Sequence, residues 1–141
     1  MKTDVILLLI VTAVLWGSTP VLEKIGLGKT DPLTGVTIRS IAVTVALVIY
    51  VLLAGKTRAL LQTDLKTVAI FSITGLMAGA LAMVTYFFAL KKGATSQIVP
   101  IAAAYPLVSA LLSVIILGEH VTVLRLAGTV FIIAGIWLVQ R

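Results

Sequence analysis

Five long runs of apolar residues follow one another along the chain, at residues 5–22, 33–54, 67–90, 94–117 and 121–139. A helix rises about 1.5 Å per residue and the hydrocarbon core of a bilayer is about 30 Å thick, so roughly 20 mostly uncharged residues make one span. The only charges inside these runs are Arg39 and Arg125. The sequence therefore predicts an all-α membrane protein with five transmembrane helices.

The composition excludes an ordinary soluble domain. Hydrophobic residues make up 60% of the 141 residues and charged residues 11%, against about 45–50% and about 25% in soluble proteins. In water such a chain would expose large apolar patches, so its solvent is the lipid bilayer. The connections between the runs leave no room for a soluble domain, and we expect one five-helix domain over residues 1–141.

The cationic residues are divided almost evenly between the two sides of the membrane. With five spans, one side carries Lys2, Lys56, Arg58, Lys66 and Arg125. The other side carries Lys24, Lys29, Arg39, Lys91, Lys92 and Arg141. Because Lys and Arg in short loops set orientation, this balance predicts dual topology and an antiparallel homodimer of ten helices. A fixed orientation with a weak charge signal is the alternative.

Three residues of the first run and Glu23, which follows it directly, share one narrow polar face of the first helix: Thr12, Trp16, Thr19 and Glu23. Polar groups at membrane depth are costly, so this face is expected to meet protein or a cavity. Glu23 is a candidate carrier of a proton or a cation, and Trp16 and Thr19 are candidates for the substrate pathway. In the alternative interpretation, Glu23 only marks the interfacial end of the helix beside Lys24.

Arg39 lies about six residues inside the second run, roughly 9 Å from its start. Its long side chain can extend back toward the membrane surface, which reduces a cost of about 2.5–3.5 kcal/mol at the bilayer centre. The five-span arrangement puts Glu23 on the same side of the membrane. We therefore predict an ion pair between Glu23 and Arg39, with an arginine anchored at headgroup level as the alternative.

The fourth run contains Pro100 and Pro106, which predict a kink or a locally unwound helix. Irregular backbone at membrane depth is tolerated where protein or a water-filled cavity receives it. Further candidate pathway residues on the third and fourth runs are Tyr86, Gln97, Tyr105 and Ser109. Alternatively, the hydroxyl groups bond to their own helix and the prolines only shape packing.

Small residues at helical spacing predict close helix packing. The third run contains Gly75 and Gly79 in a GxxxG pattern, and the fifth contains Gly128 and Gly135 at heptad spacing. These glycines are expected to form packing seams within or between subunits.

No pattern in the sequence indicates a catalytic group, a metal site or a cofactor. The chain has no cysteine, and its single histidine, His120, stands in a short connection. The segment GLGKT at residues 26–30 resembles part of a phosphate-binding loop, but it follows a membrane helix and has Glu23 where that pattern requires glycine. The net charge of +6 comes from Lys and Arg residues that influence the orientation of the protein in the membrane. No nucleic acid partner is expected.

Several segments resemble an EamA-type domain of the drug/metabolite transporter superfamily. They are WGSTPVLEK at residues 16–24, Arg39, the stretch from YFFALKKGATSQIVP to LGEHVT at residues 86–122, and RLAGTVFIIAGIWLV at residues 125–139. The resemblance implies ATP-independent transport of small metabolites, amino acids or drugs in the plasma or inner membrane. Most relatives join two such domains, so a single domain implies a dimer. A non-transporting membrane scaffold or assembly partner is the alternative function.

Dual topology has a direct test at the C-terminus. Two reporters, one active only in the cytoplasm and one active only outside it, are fused separately after Arg141. Because the charge bias is close to zero, we expect comparable signals from both fusions. A strong signal from one reporter alone would contradict the prediction.

Overall fold

The computed structural model describes residues 3–120 and 122–139, apart from the side chain of Arg125, and every regular element in those ranges is a helix. The elements are α1 (Thr3–Leu27), α2 (Pro32–Leu53), α3 (Thr57–Leu61), α4 (Leu65–Thr74), the π-helix π1 (Gly75–Leu81), α5 (Ala82–Lys92), α6 (Thr95–Ala102), α7 (Tyr105–Leu117) and α8 (Val123–Val139). The prediction of an all-helical chain is confirmed for these residues.

In the described ranges, four helical stretches are long and apolar enough to cross a membrane: Thr3–Leu27, Pro32–Leu53, Leu65–Lys92 and Thr95–Leu117. They coincide with the first four apolar runs, although each run was predicted within slightly different limits. Most of the fifth run lies in α8, whose 17 residues fall short of a full span, and residue 121 is outside the described ranges. The fifth span therefore stays a prediction.

Two connections between the apolar runs contain helical residues that the runs do not include. Helix α1 continues to Leu27, so Glu23 and Lys24 are helical residues, and the connection to α2 is residues 28–31. The connection between α2 and α4 contains a five-residue helix, α3, because its sequence TRALL consists mostly of good helix formers.

Two spans are irregular. The third span passes through π1, in which each turn takes up more residues than in an α-helix. The fourth span is interrupted at residues 103–104, between α6 and α7. Pro106 explains this break, because its nitrogen has no hydrogen to donate to a carbonyl of the preceding turn. The expected irregularity of the fourth run is confirmed.

Aspartates cap two of the spans. Asp31 Oδ1 accepts hydrogen bonds from the backbone N–H groups of Leu33 at 2.9 Å and Thr34 at 3.2 Å, and Asp64 Oδ1 accepts one from Thr67 at 3.0 Å. Hydrogen bonding by Thr34 and Thr67 holds the pKa of Asp31 and Asp64, respectively, below the ordinary value. These caps therefore favour the folded state above the pKa of the unfolded chain, and their contribution disappears as the pH falls through the lowered value.

The chain divides into two compact units, Met1–Lys91 and Lys92–Arg141. In the first unit the buried hydrophobic residues are Leu27, Val36, Phe87 and Leu90. They lie at the last turn of α1, the first turns of α2 and the last turns of α5, so these three helix ends share one small core. In the second unit, α6 packs against α8. Most other apolar side chains are exposed, as expected of surfaces that meet lipid or another subunit.

Gly35 allows α5 to approach α2 in this core. A Cβ atom at Gly35 would lie 3.2 Å from Phe87 Cε2 and 3.4 Å from Leu27 Cδ2. We expect Gly35→Val to lower the free energy of unfolding by about 1–3 kcal/mol, because the added methyl groups overpack the core. Thermal unfolding of the detergent-solubilised protein measures the change.

Gly17→Val is the matched control, since a Cβ at Gly17 in α1 meets no described atom within 4 Å. This variant is expected to change stability by no more than about 0.5 kcal/mol. Equal losses in the two variants would contradict the assigned contact.

Candidate functional site

An ion pair joins α1 to α2 inside the first unit. Arg39 Nε lies 3.3 Å from Glu23 Oε1, so the predicted pair is confirmed as a contact. The Glu23 side chain is 10% exposed and the Arg39 side chain 40% exposed. Glu23 Oε1 is fully buried and accepts no hydrogen bond among the described residues, so the contact is electrostatic rather than a well-aligned hydrogen bond.

Local structure brings these two residues together. Glu23 lies in the second-last turn of α1, and Arg39 lies two turns into α2. The connection between the helices is only four residues long, and Asp31 and Pro32 fix the start of α2. The two side chains therefore meet at the same end of the helix pair.

Tyr86 is the third candidate residue at this site. It precedes the buried Phe87 on α5, with the two ring centroids 6.2 Å apart and tilted by 60°. Phe87 itself is buried against Gly35, so Tyr86 lies in the part of α5 that packs against the start of α2.

Two lysines connect the helix ends beside this site. Lys24 Nζ donates to the backbone oxygens of Leu90 and Lys91, the latter at 3.2 Å, and Lys91 Nζ donates to Thr30 O at 2.7 Å. Cations stabilise helix C-termini by bonding to their last carbonyl groups. The sequence analysis used both lysines only to judge membrane orientation. Their position in the last turn of a helix was the signal that could have indicated bonds to helix-end carbonyl groups.

A groove runs along another face of α2. Its volume is about 400 Å³, and it is lined by α2 residues from Leu33 to Val45 together with Ala80 and Val84. Three hydroxyl residues line it, Thr37, Ser40 and Thr44, and sequence reasoning missed them. Their spacing of three and four places them on one helix face, and this was the signal that could have found them.

The remaining candidate residues do not join this cluster in what the structure describes. Trp16 is 67% exposed, and the Thr19 hydroxyl donates to Leu15 O of its own helix at 2.7 Å. Gln97, Tyr105 and Ser109 belong to the second unit, where all three are exposed. Their part in a substrate pathway stays a prediction.

The four glycines predicted to pack helices are Gly75, Gly79, Gly128 and Gly135. In the described part of the chain, a Cβ atom at any of them would have no neighbour within 4 Å. Gly75 and Gly79 both lie in π1. Packing of these glycines against a second subunit stays a prediction.

Comparisons with known proteins decide the family. The profile of the EamA-like transporter family matches residues 4–141, which is nearly the whole chain. The chain belongs to this EamA-like transporter family. An uncharacterized protein of Methanocaldococcus jannaschii is 31% identical to this EamA-like chain over 142 residues, which cover 99% of the chain and 98% of that protein. No solved structure matches it significantly.

Family membership confirms the resemblance drawn from the sequence. Its described residues include four helices long and apolar enough to cross a bilayer, so this EamA-like protein is a multi-pass membrane protein of a transporter family. Within residues 3–120 and 122–139, no three His, Cys, Asp or Glu side chains gather in a group that could hold a metal ion.

The two partners of the ion pair are buried to different extents, and this difference predicts unequal costs. Arg39→Ala leaves the mostly buried Glu23 without its cation, whereas Glu23→Ala leaves the half-exposed Arg39. We expect Arg39→Ala to cost the EamA-like protein about 1–3 kcal/mol of unfolding free energy and Glu23→Ala less. Thermal unfolding in detergent measures both.

The exchanged pair, Glu23→Arg with Arg39→Glu, is expected to recover part of the loss, because the attraction is restored with its sign pattern reversed. Arg58→Ala, in α3, is the control for loss of an arginine outside the pair. An exchanged pair less stable than both single variants would contradict an ion pair that holds the helices together.

Proposed function

We propose that this protein is a secondary transporter of small metabolites, amino acids or drugs, and that it works without ATP by alternating access. The observation that carries the proposal is the Glu23–Arg39 pair, which lies inside two apolar helices of a member of a transporter family. Ionisable residues within membrane spans are costly and are typical of substrate or ion pathways.

We further propose that α8 completes a fifth span and that two inverted copies form a ten-helix dimer in the plasma or inner membrane. The even distribution of Lys and Arg supports this arrangement. The unfilled space beside the glycines also supports it, because Gly75, Gly79, Gly128 and Gly135 then have a second copy to pack against. Substrate would pass between the copies, along the face that carries Trp16, Thr19 and the ion pair.

Hydroxyl groups that bond within their own helices favour a second candidate function. Thr12 donates to Leu8 O at 2.9 Å, Thr19 to Leu15 O at 2.7 Å and Ser113 to Ala110 O at 3.0 Å. Such bonds leave few donors for a substrate, as expected of polar residues that serve helix packing alone. This observation supports a membrane scaffold or assembly partner.

Reconstitution separates the two functions. The purified protein is incorporated into proteoliposomes, and uptake is measured over a panel of labelled amino acids, organic acids and amines. For a transporter we expect saturable uptake of at least one compound, and we expect Arg39→Lys to lower it at least tenfold because the lysine ammonium lacks the planar fork of the guanidinium.

Arg58→Lys is the matched control and should transport as the unaltered protein does. Permeability equal to that of empty liposomes over the whole panel would contradict transport and favour the scaffold.

A further inference from the structure

Arg39 is engaged by Glu23 on one side only. The guanidinium has five N–H donors, and its contact with Glu23 is made through Nε. Arg39 donates no hydrogen bond to any residue of the described ranges 3–120 and 122–139, and the contact at 3.3 Å is not an aligned one. Among the described residues, neither terminal amino group of the guanidinium has a hydrogen-bond acceptor.

Unused donors of this kind are costly inside a membrane span. An arginine at the bilayer centre costs about 2.5–3.5 kcal/mol, and partners within the protein reduce that cost. Glu23 compensates the charge of Arg39 but does not accept hydrogen bonds from its two terminal amino groups. A planar oxyanion matches that pair of donors, since a carboxylate accepts two parallel hydrogen bonds from a guanidinium.

The charges around this end of the first unit also favour an anion. Residues 23–39 and the part of α5 that ends the first unit together carry four cations and two carboxylates. The cations are Lys24, Lys29, Arg39 and Lys91, and the carboxylates are Glu23 and Asp31. A local excess of positive charge raises the concentration of anions at a site.

An organic cation fits the site less well. It would have to bind Glu23, whose Oε1 is fully buried and already lies beside Arg39. Arg39 would need to move away before the cation could approach. An anion needs no such displacement, because Arg39 is the more exposed partner of the pair, at 40% against 10%.

We propose that Arg39 is the docking point for the carboxylate group of the substrate, which makes small organic carboxylates the substrate class. This proposal rests on the transport function proposed above. The carboxylate binds the terminal amino groups of Arg39, and Glu23 holds the guanidinium in place from its Nε side. Glu23 positions Arg39 through Oε1, a contact that the amide oxygen of a glutamine can also make, while its negative charge competes with the ligand for the same cation.

Three compounds of nearly the same shape test the sign of the preferred charge. Benzoate is an anion, benzamide is neutral and benzamidine is a cation at neutral pH. The purified protein in detergent is titrated with each while its unfolding temperature is measured, since a ligand that binds only the folded state raises that temperature. We expect a saturable rise with benzoate and none with benzamide or benzamidine. A rise with benzamidine alone, equal rises with all three, or no rise with benzoate would overturn the proposal.

Substitutions then separate docking at Arg39 from a merely structural role. Arg39→Lys keeps the charge but loses the planar fork, so benzoate should bind about tenfold more weakly, as loss of one charge-assisted hydrogen bond implies. Glu23→Gln removes the competing carboxylate and should tighten benzoate binding, even where the variant itself is less stable. Arg58→Lys, in α3, should bind benzoate as the unaltered protein does.

Unchanged benzoate affinity in Arg39→Lys, or weaker affinity in Glu23→Gln, would overturn docking at Arg39. Both are equilibrium measurements and do not depend on transport. Uptake of amines but not of organic acids into proteoliposomes would overturn the carboxylate class while leaving the transport function intact. Benzoate binding without uptake of any compound would support the carboxylate site at Arg39 and contradict the transport function.

Discussion

The ion pair between Glu23 and Arg39 is the interaction on which the candidate site depends. Two apolar helices meet at an end where each contributes one charged residue. Without the other, each of these residues would lie in apolar surroundings with no opposite charge. Pairing makes both tolerable and fixes the faces that α1 and α2 present to each other. Because the contact uses one side of the guanidinium, the same pair that joins the helices leaves donors available for a ligand.

Packing in the first unit is concentrated where this pair lies. Leu27, Val36, Phe87 and Leu90 are buried there, and Lys24 and Lys91 bond across the adjacent helix ends. The exposed lengths of the helices are apolar and suited to lipid or a second copy. The hydroxyl-lined groove beside α2 and the π-helix Gly75–Leu81 lie along such a length. A firmly joined end beside loosely packed helices is compatible with the movement that the proposed alternating access requires.

Much of this arrangement could be predicted without coordinates. Length and hydropathy predicted five spans, and four of them are confirmed as helices long and apolar enough to cross, since a bilayer demands about 20 apolar residues wherever the chain crosses it. Pro100 and Pro106 indicated an irregular fourth span, because a missing N–H has a purely local effect, and the structure has the break at residues 103–104. The Glu23–Arg39 pair was predicted from the cost of a charged side chain in a membrane span. Each residue needed a partner, and both were expected on one side of the membrane. The EamA-like family was identified from segments along nearly the whole chain, which include these two residues.

Other features were decided only by the tertiary structure. The Lys24 bond to Leu90 joins residues 66 positions apart, and no local periodicity indicates which distant carbonyl a lysine will meet. The approach of Phe87 to Gly35 and the groove beside Thr37, Ser40 and Thr44 likewise depend on how α2 and the third span pack together. Hydropathy determined which segments enter the membrane, because lipid acts on each segment separately. Packing determined which side chains meet, because that depends on helix rotation and register, which apolar sequences specify only weakly.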